Sequence, residues 1–122
     1  SSVIQNLTKK ILTQLNYEIS SVKNGQQVLD LLNKEEYGMV LLDIHMPIMD
    51  GMECAKQIRE MDGTNQNIPI VAITGNANNY TMEDFEAVGI NAFIPTPLNY
   101  DSVVEKVKKY TDDDKVYESF SA

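Results

Sequence analysis

The chain has 122 residues, the size of one domain, and 43% of them are hydrophobic, enough for a single core. Its formal net charge of −8 makes phosphate backbones and anionic lipid poor partners, so neither nucleic acid nor membrane contact is expected of this domain. No apolar run approaches the roughly 18 residues of a membrane span, no signal-peptide pattern opens the chain, and the lone cysteine, Cys54, leaves no internal disulfide, so a reducing, cytoplasmic compartment is expected.

Ile4, Leu7, Ile11 and Leu15 recur at helical spacing and predict a first helix over about residues 3–15. Tyr17 to Val22 reads as a short strand and Asn24-Gly25 as a turn; Val28, Leu29, Leu31 and Leu32 mark a second helix. Met39-Val40-Leu41-Leu42 is a continuous apolar run, the pattern of a parallel strand buried on both faces. A loop from His45 to Gly51 follows, and Met52, Ala55 and Ile58 suggest a third helix with Cys54 in its packing. Met46, Met49, Met52 and Met61 read as loop and core filling. Ile68 to Ile73 is another apolar strand. Thr81 caps a fourth helix, with Glu83 and Asp84 in its first turn and Gly89 as its stop. Ile90 to Ile94 is a further strand. Asn99 to Tyr110 forms the last helix, with Val103, Val104 and Val107 facing inward and Lys106, Lys108 and Lys109 on a solvated, cation-favouring end.

Strands alternating with helices of these lengths define an α/β fold with a doubly wound parallel sheet. Ligands of such sheets sit outside the carboxyl ends of the strands. Three of those ends carry polar groups here, Asp43, Thr74 and Thr96.

The stretch Leu41-Leu42-Asp43-Ile44-His45-Met46-Pro47-Ile48-Met49-Asp50-Gly51 resembles the core signature of response-regulator receiver domains. Val71 to Ala77 and Gly89 to Leu98 resemble the family's next motifs, and Asn24-Gly25 falls where the family has a turn. The wording of the second motif is similar to receivers attached to hybrid histidine kinases. The resemblance implies a flavodoxin-like receiver fold and a role in a two-component phosphorelay, with a histidine kinase or histidine phosphotransfer domain as partner. Asp43 would be the phosphoacceptor, its carboxylate attacking a phosphohistidine phosphorus to form an acyl phosphate. Mg²⁺ would be the cofactor, held by Asp43 and the His45 backbone carbonyl. Thr74 would contact the phosphoryl oxygens through its hydroxyl, and His45 and Gly75 through their backbone N–H groups. Phe93 matches the aromatic that changes rotamer with Thr74, and the last two helices with the strand between them would be the switched output face.

Two departures from the family stand out. Thr96 occupies the position of a lysine that would pair with the phosphoryl group, which predicts weakened phosphorylation or signalling; the Thr96-Pro97 bond falls where the family often has a cis peptide. The second departure is the first strand with its acidic pair, missing from the N-terminus, so that metal affinity is expected to be poor. In the family's strand order, 2-1-3-4-5, that strand lies inside the sheet, and an empty slot would expose unpaired backbone. Residues 1–110 are therefore assigned to the receiver domain and 111–122 to an acidic tail. The tail reads as a frayed end. The alternatives are that residues 115–120 act as a substitute strand in the slot or on a sheet edge, that the N-terminus is truncated, or that a second chain donates a strand in a swapped dimer.

The leading function is a phosphoacceptor receiver, not an enzyme, since any phosphotransfer or autodephosphorylation is self-directed. The alternative is a phosphorylation-impaired pseudo-receiver that acts as a protein-binding module, favoured by Thr96 and the missing acidic pair. A dehalogenase-like phosphatase would place an aspartate two residues after the nucleophile, where this chain has His45.

Overall fold

A computed structural model describes residues 2–44, 48–75, 80–111 and 119–121 of the chain. Helix α1 spans Ser2–Gln14. Its inward face is Thr8, Ile11 and Leu12, continued by Leu15 beyond the helix, whereas Leu7 is 41% exposed. The stripe through Leu7 and the stripe through Leu12 are both helical in period, and the sequence does not choose between them. Strand β1, Glu18–Ile19, is shorter than the expected Tyr17–Val22. The Val22 carbonyl accepts instead from the Gln5 side-chain amide at 2.6 Å, which ties the loop to α1 rather than to a neighbouring strand.

Helix α2, Gly25–Lys34, starts where the Asn24 side chain accepts from the Gln27 N–H, and it buries Val28, Leu29 and Leu32. Strand β2, Met39–Asp43, is buried through its first four residues. Helix α3, Gly51–Arg59, is capped by Asp50, whose carboxylate accepts from the Glu53 N–H at 2.9 Å. A 3-10 turn at Thr64–Asn67 follows. It delays strand β3 to Ile70–Thr74, because the Ile68 N–H closes that turn onto the Asn65 carbonyl and Pro69 has no N–H to give. Asn65 is 6% exposed, and its amide donates to the carbonyls of Leu32 and Glu35, both at 2.7 Å, so the turn is stitched to the end of α2.

Helix α4, Met82–Ala87, begins with a reciprocal capping box between Thr81 and Asp84. Strand β4 is Ala92–Pro95 rather than Ile90–Ile94, since the Ile90 N–H turns back to the Phe85 carbonyl. Helix α5, Tyr100–Tyr110, is capped by Asn99 and buries Val103 and Val107, with Lys108 and Lys109 in its last turn. Strand β5 is Ser119–Ser121.

All recorded pairings are parallel and the strand order is β1-β5-β2-β3-β4. The second place, which the family gives to its first strand, is taken by β5 from the far end of the chain. It pairs Glu18 with Ser119 and Ile19 with Phe120 on one side, and Met39 with Phe120 and Val40 with Ser121 on the other. The reading of the tail as a frayed end therefore fails at Ser119–Ser121: a slot beside the buried strand β2 favours any extended backbone in reach. Lys115 to Glu118 of the expected substitute strand lie outside the described residues.

Two cores cover the sheet. One joins α2, α3 and α4 to Val40, Leu42, Ile70 and Ala72; the other joins α1 and α5 to Met39, Leu41, Val71, Ile73 and Ile94. Strand residues alternate between them, as a doubly wound sheet requires.

Candidate functional site

Register places the three strand ends together. Asp43 lies opposite Ile73, Ile73 opposite Ile94, and Thr74 opposite Pro95. Asp43, Thr74 and Thr96 therefore share one rim of the sheet, as the sequence implied.

Asp43 is half-buried at the end of β2. The strand bonding runs one residue past it, with the Ile44 N–H donating to the Ile73 carbonyl at 3.1 Å. The chain then leaves the sheet and returns, and the Gly51 N–H donates to the Ile44 carbonyl at 3.0 Å. A Cβ on Gly51 would stand 2.7 Å from the Ile44 Cα and 2.9 Å from the Asp43 carbonyl oxygen, so α3 can start this close to the strand end only with glycine there. Within the returning loop Ile48 has φ 71° and is 84% exposed, a β-branched residue in the left-handed region. Asp50 is committed to capping α3, consistent with its placement in the turn that leads into that helix. His45 lies outside the described residues.

Thr74 is 1% exposed at the end of β3. Its carbonyl accepts from the Thr96 N–H at 3.0 Å. The Thr96 hydroxyl lies where a Cβ on Gly75 would meet it at 2.9 Å, so the two loops touch at the rim and Gly75 is exposed beside them. The Thr96-Pro97 peptide is cis. Phe93 is part-buried and packs on Phe85 with ring centroids 5.5 Å apart, and Phe85 meets Tyr80 at 5.8 Å. Tyr80 escaped the sequence reading; an aromatic just before the Thr81 cap was its only signal.

Two further groups are structural. Cys54 is fully buried, with its thiol 3.6 Å from the Gly25 carbonyl, and burial, with the Asp50 charge second, pushes its pKa up to about 12. That thiol is no nucleophile. Arg59 donates to the carbonyls of Gly89 and Gln66 and to the Asn91 side chain, a clamp between α3 and the root of β4; burial lowers its pKa.

Among the described residues, no group of three His, Cys, Asp or Glu side chains could hold a metal ion. Of the strand-end donors Asp43 is the one carboxylate, beside two hydroxyls, and an Mg²⁺ ion held by one carboxylate would keep most of its waters. The described part of the site thus fits the expected cofactor only weakly. No described helix is long and apolar enough to cross a membrane.

Residues 1–108 match the response regulator receiver domain. The chain belongs to that family, whose members serve two-component and phosphorelay systems. It is 31% identical over 121 residues to hybrid signal transduction histidine kinase I of Dictyostelium discoideum, covering 91% of this chain and 7% of that protein. It is 33% identical over 104 residues to the CAI-1 autoinducer sensor kinase/phosphatase CqsS of Vibrio cholerae, covering 85% of this chain and 15% of that protein. The chain thus spans only a small part of these relatives. Among solved structures, the receiver domain of sensor histidine kinase PA1611 from Pseudomonas aeruginosa, which has magnesium in its active-site cleft, superposes with a TM-score of 0.82 at 24% identity over 90% of this chain and 89% of that one. The Saccharomyces cerevisiae receiver domain of Ssk1, solved with the phosphotransfer protein Ypd1, belongs to a complex that matches with a TM-score of 0.79 at 21% identity over 91% of this chain and 83% of that one. These likenesses show a flavodoxin-like receiver fold.

Proposed function

We propose that Asp43 is a phosphoacceptor in a His-to-Asp relay. A carboxylate oxygen of Asp43 attacks the phosphorus of a phosphohistidine on a kinase or phosphotransfer domain. The P–N bond breaks, the imidazole leaves and takes up a proton, and an acyl phosphate forms on Asp43. The observation that carries this reading is the register that brings Asp43, Thr74 and Thr96 to one rim, within two residues of one another along the strand direction. Thr74 and the backbone N–H groups of His45 and Gly75 are the proposed phosphoryl contacts. Phe93, in tilted contact with Phe85, is the proposed aromatic link from Thr74 to the face formed by α4, β4 and α5. Catalysis of such a transfer is mostly positioning and charge neutralisation. With Thr96 in place of a lysine, neutralisation by a side chain is the weak element. A site with that weakness also favours the second reading, a pseudo-receiver that signals by protein contact alone.

The test is incubation of the full chain with phosphoramidate, a small P–N phosphoryl donor, with and without Mg²⁺, followed by intact mass. One added phosphoryl group, absent from Asp43→Asn, is expected. A folded chain that gains none under either condition supports the pseudo-receiver.

A further inference from the structure

We propose that the space between β1 and β2 is a strand-binding site, and that β5 is its ligand, docked by the same chain and able to exchange, rather than a fixed strand of the sheet. The pairing lengths point there. Val40–Asp43 pair with Ile70–Ile73, and Val71–Thr74 with Ala92–Pro95, four residues in each case. Among the described residues β5 makes two such pairs with each neighbour, at Glu18 and Ile19 and at Met39 and Val40. Among the described residues it is the one strand that joins β1 to the rest of the sheet.

A strand with so short a described pairing opens locally at lower cost than the sheet around it. Yet the slot favours occupation. Met39 and Val40 are 0% exposed, so vacating it would leave buried backbone groups without partners. Recognition through main-chain bonds reads extended conformation and parallel direction more than side-chain identity. The take-off point is pinned nearby. Thr111 is 8% exposed, donates its hydroxyl to the Val107 carbonyl at 2.6 Å and lies 3.4 Å from the hydroxyl of Tyr17, the residue before β1. That anchor keeps the tail close to the slot at high effective concentration. Docking at the root of β2 couples the tail to the strand that ends on Asp43. The inference stands apart from whether Asp43 accepts a phosphoryl group.

The register supplies the test. Val40 and Ser121 are Cα partners in adjacent strands, within disulfide range, and both tolerate cysteine in size. In the full chain, Val40→Cys with Ser121→Cys should close an intramolecular disulfide on mild oxidation. The full chain carrying Val40→Cys alone, mixed with a synthetic peptide of residues 115–122 bearing Ser121→Cys, should gain the mass of one peptide, and a scrambled peptide should not be captured. Adding Phe120→Pro, which removes a strand N–H from the resident tail, should speed capture several-fold. Met39 and Phe120, the other register pair, repeat the test if the first variant does not fold. Absence of the intramolecular bond in a folded double variant overturns the docking. A bond that forms while folded Val40→Cys chain captures no peptide, with or without Phe120→Pro, shows a fixed strand and overturns the exchange.

Discussion

Thr96 gives its N–H to the Thr74 carbonyl and rests its hydroxyl against Gly75, so it bridges the two loops that flank Asp43. It brings no charge. A lysine there would add a charge-assisted hydrogen bond to a phosphoryl group, worth about 1.5–3 kcal/mol. Thr96→Lys is therefore expected to raise the initial rate of Asp43 labelling by roughly ten-fold or more, read by intact mass against time; an unchanged rate would show that charge at this position does not limit the transfer. Cys54 behaves in the opposite sense, as a group kept neutral. Its folded pKa of about 12 lies above the unfolded thiol value of roughly 8.5. The folded state holds the proton more tightly, so the stabilisation is complete below the unfolded value and is lost as pH rises towards the folded one. Cys54 should resist iodoacetamide at pH 8 in native buffer and react promptly in denaturant. Fast labelling of the native chain would contradict its burial.

At the scale of elements, α1 shows how local pattern and packing diverge. Its apolar residues offer two overlapping stripes, and the one through Thr8, Ile11 and Leu12 faces α5 and the sheet. Leu12→Ala should cost about 3 kcal/mol, while Leu7→Ala, at a 41% exposed position, should stay within about 0.5 kcal/mol; equal losses in denaturant titrations would mean the wrong stripe has been assigned. Helix starts were partly legible in the sequence: Thr81 read as a cap and Asn99 as the start of the last helix, whereas Asn24 and Asp50 read as turn and loop residues. Asn24, Asp50, Thr81 and Asn99 each cap a helix with a side-chain acceptor. Strand starts were less legible, because Ile68 and Ile90 are apolar yet spend their N–H groups on closing the preceding turn.

For the whole molecule, the apolar runs at Met39–Leu42 and Ile70–Ile73 announced a parallel sheet covered on both faces, and register then gathered Asp43, Thr74 and Thr96. Ser119–Ser121 announced nothing comparable: three residues with one aromatic carry too short a pattern, and only the gap between β1 and β2 gives them a place. The close approach of Gly51 to Asp43 was likewise hidden, since a glycine after Asp50 reads as a turn until the strand beneath it is seen. The proposed function converges on the Asp43 carboxylate. The most direct measurement treats the phosphodonor-exposed chain with borohydride, which reduces an acyl phosphate to an alcohol, and locates the change by peptide mass. Conversion of Asp43 to homoserine, at that aspartate alone, is the expected result. Reduction at another carboxylate, or at none in a folded chain, would contradict the assignment of Asp43 as the acceptor.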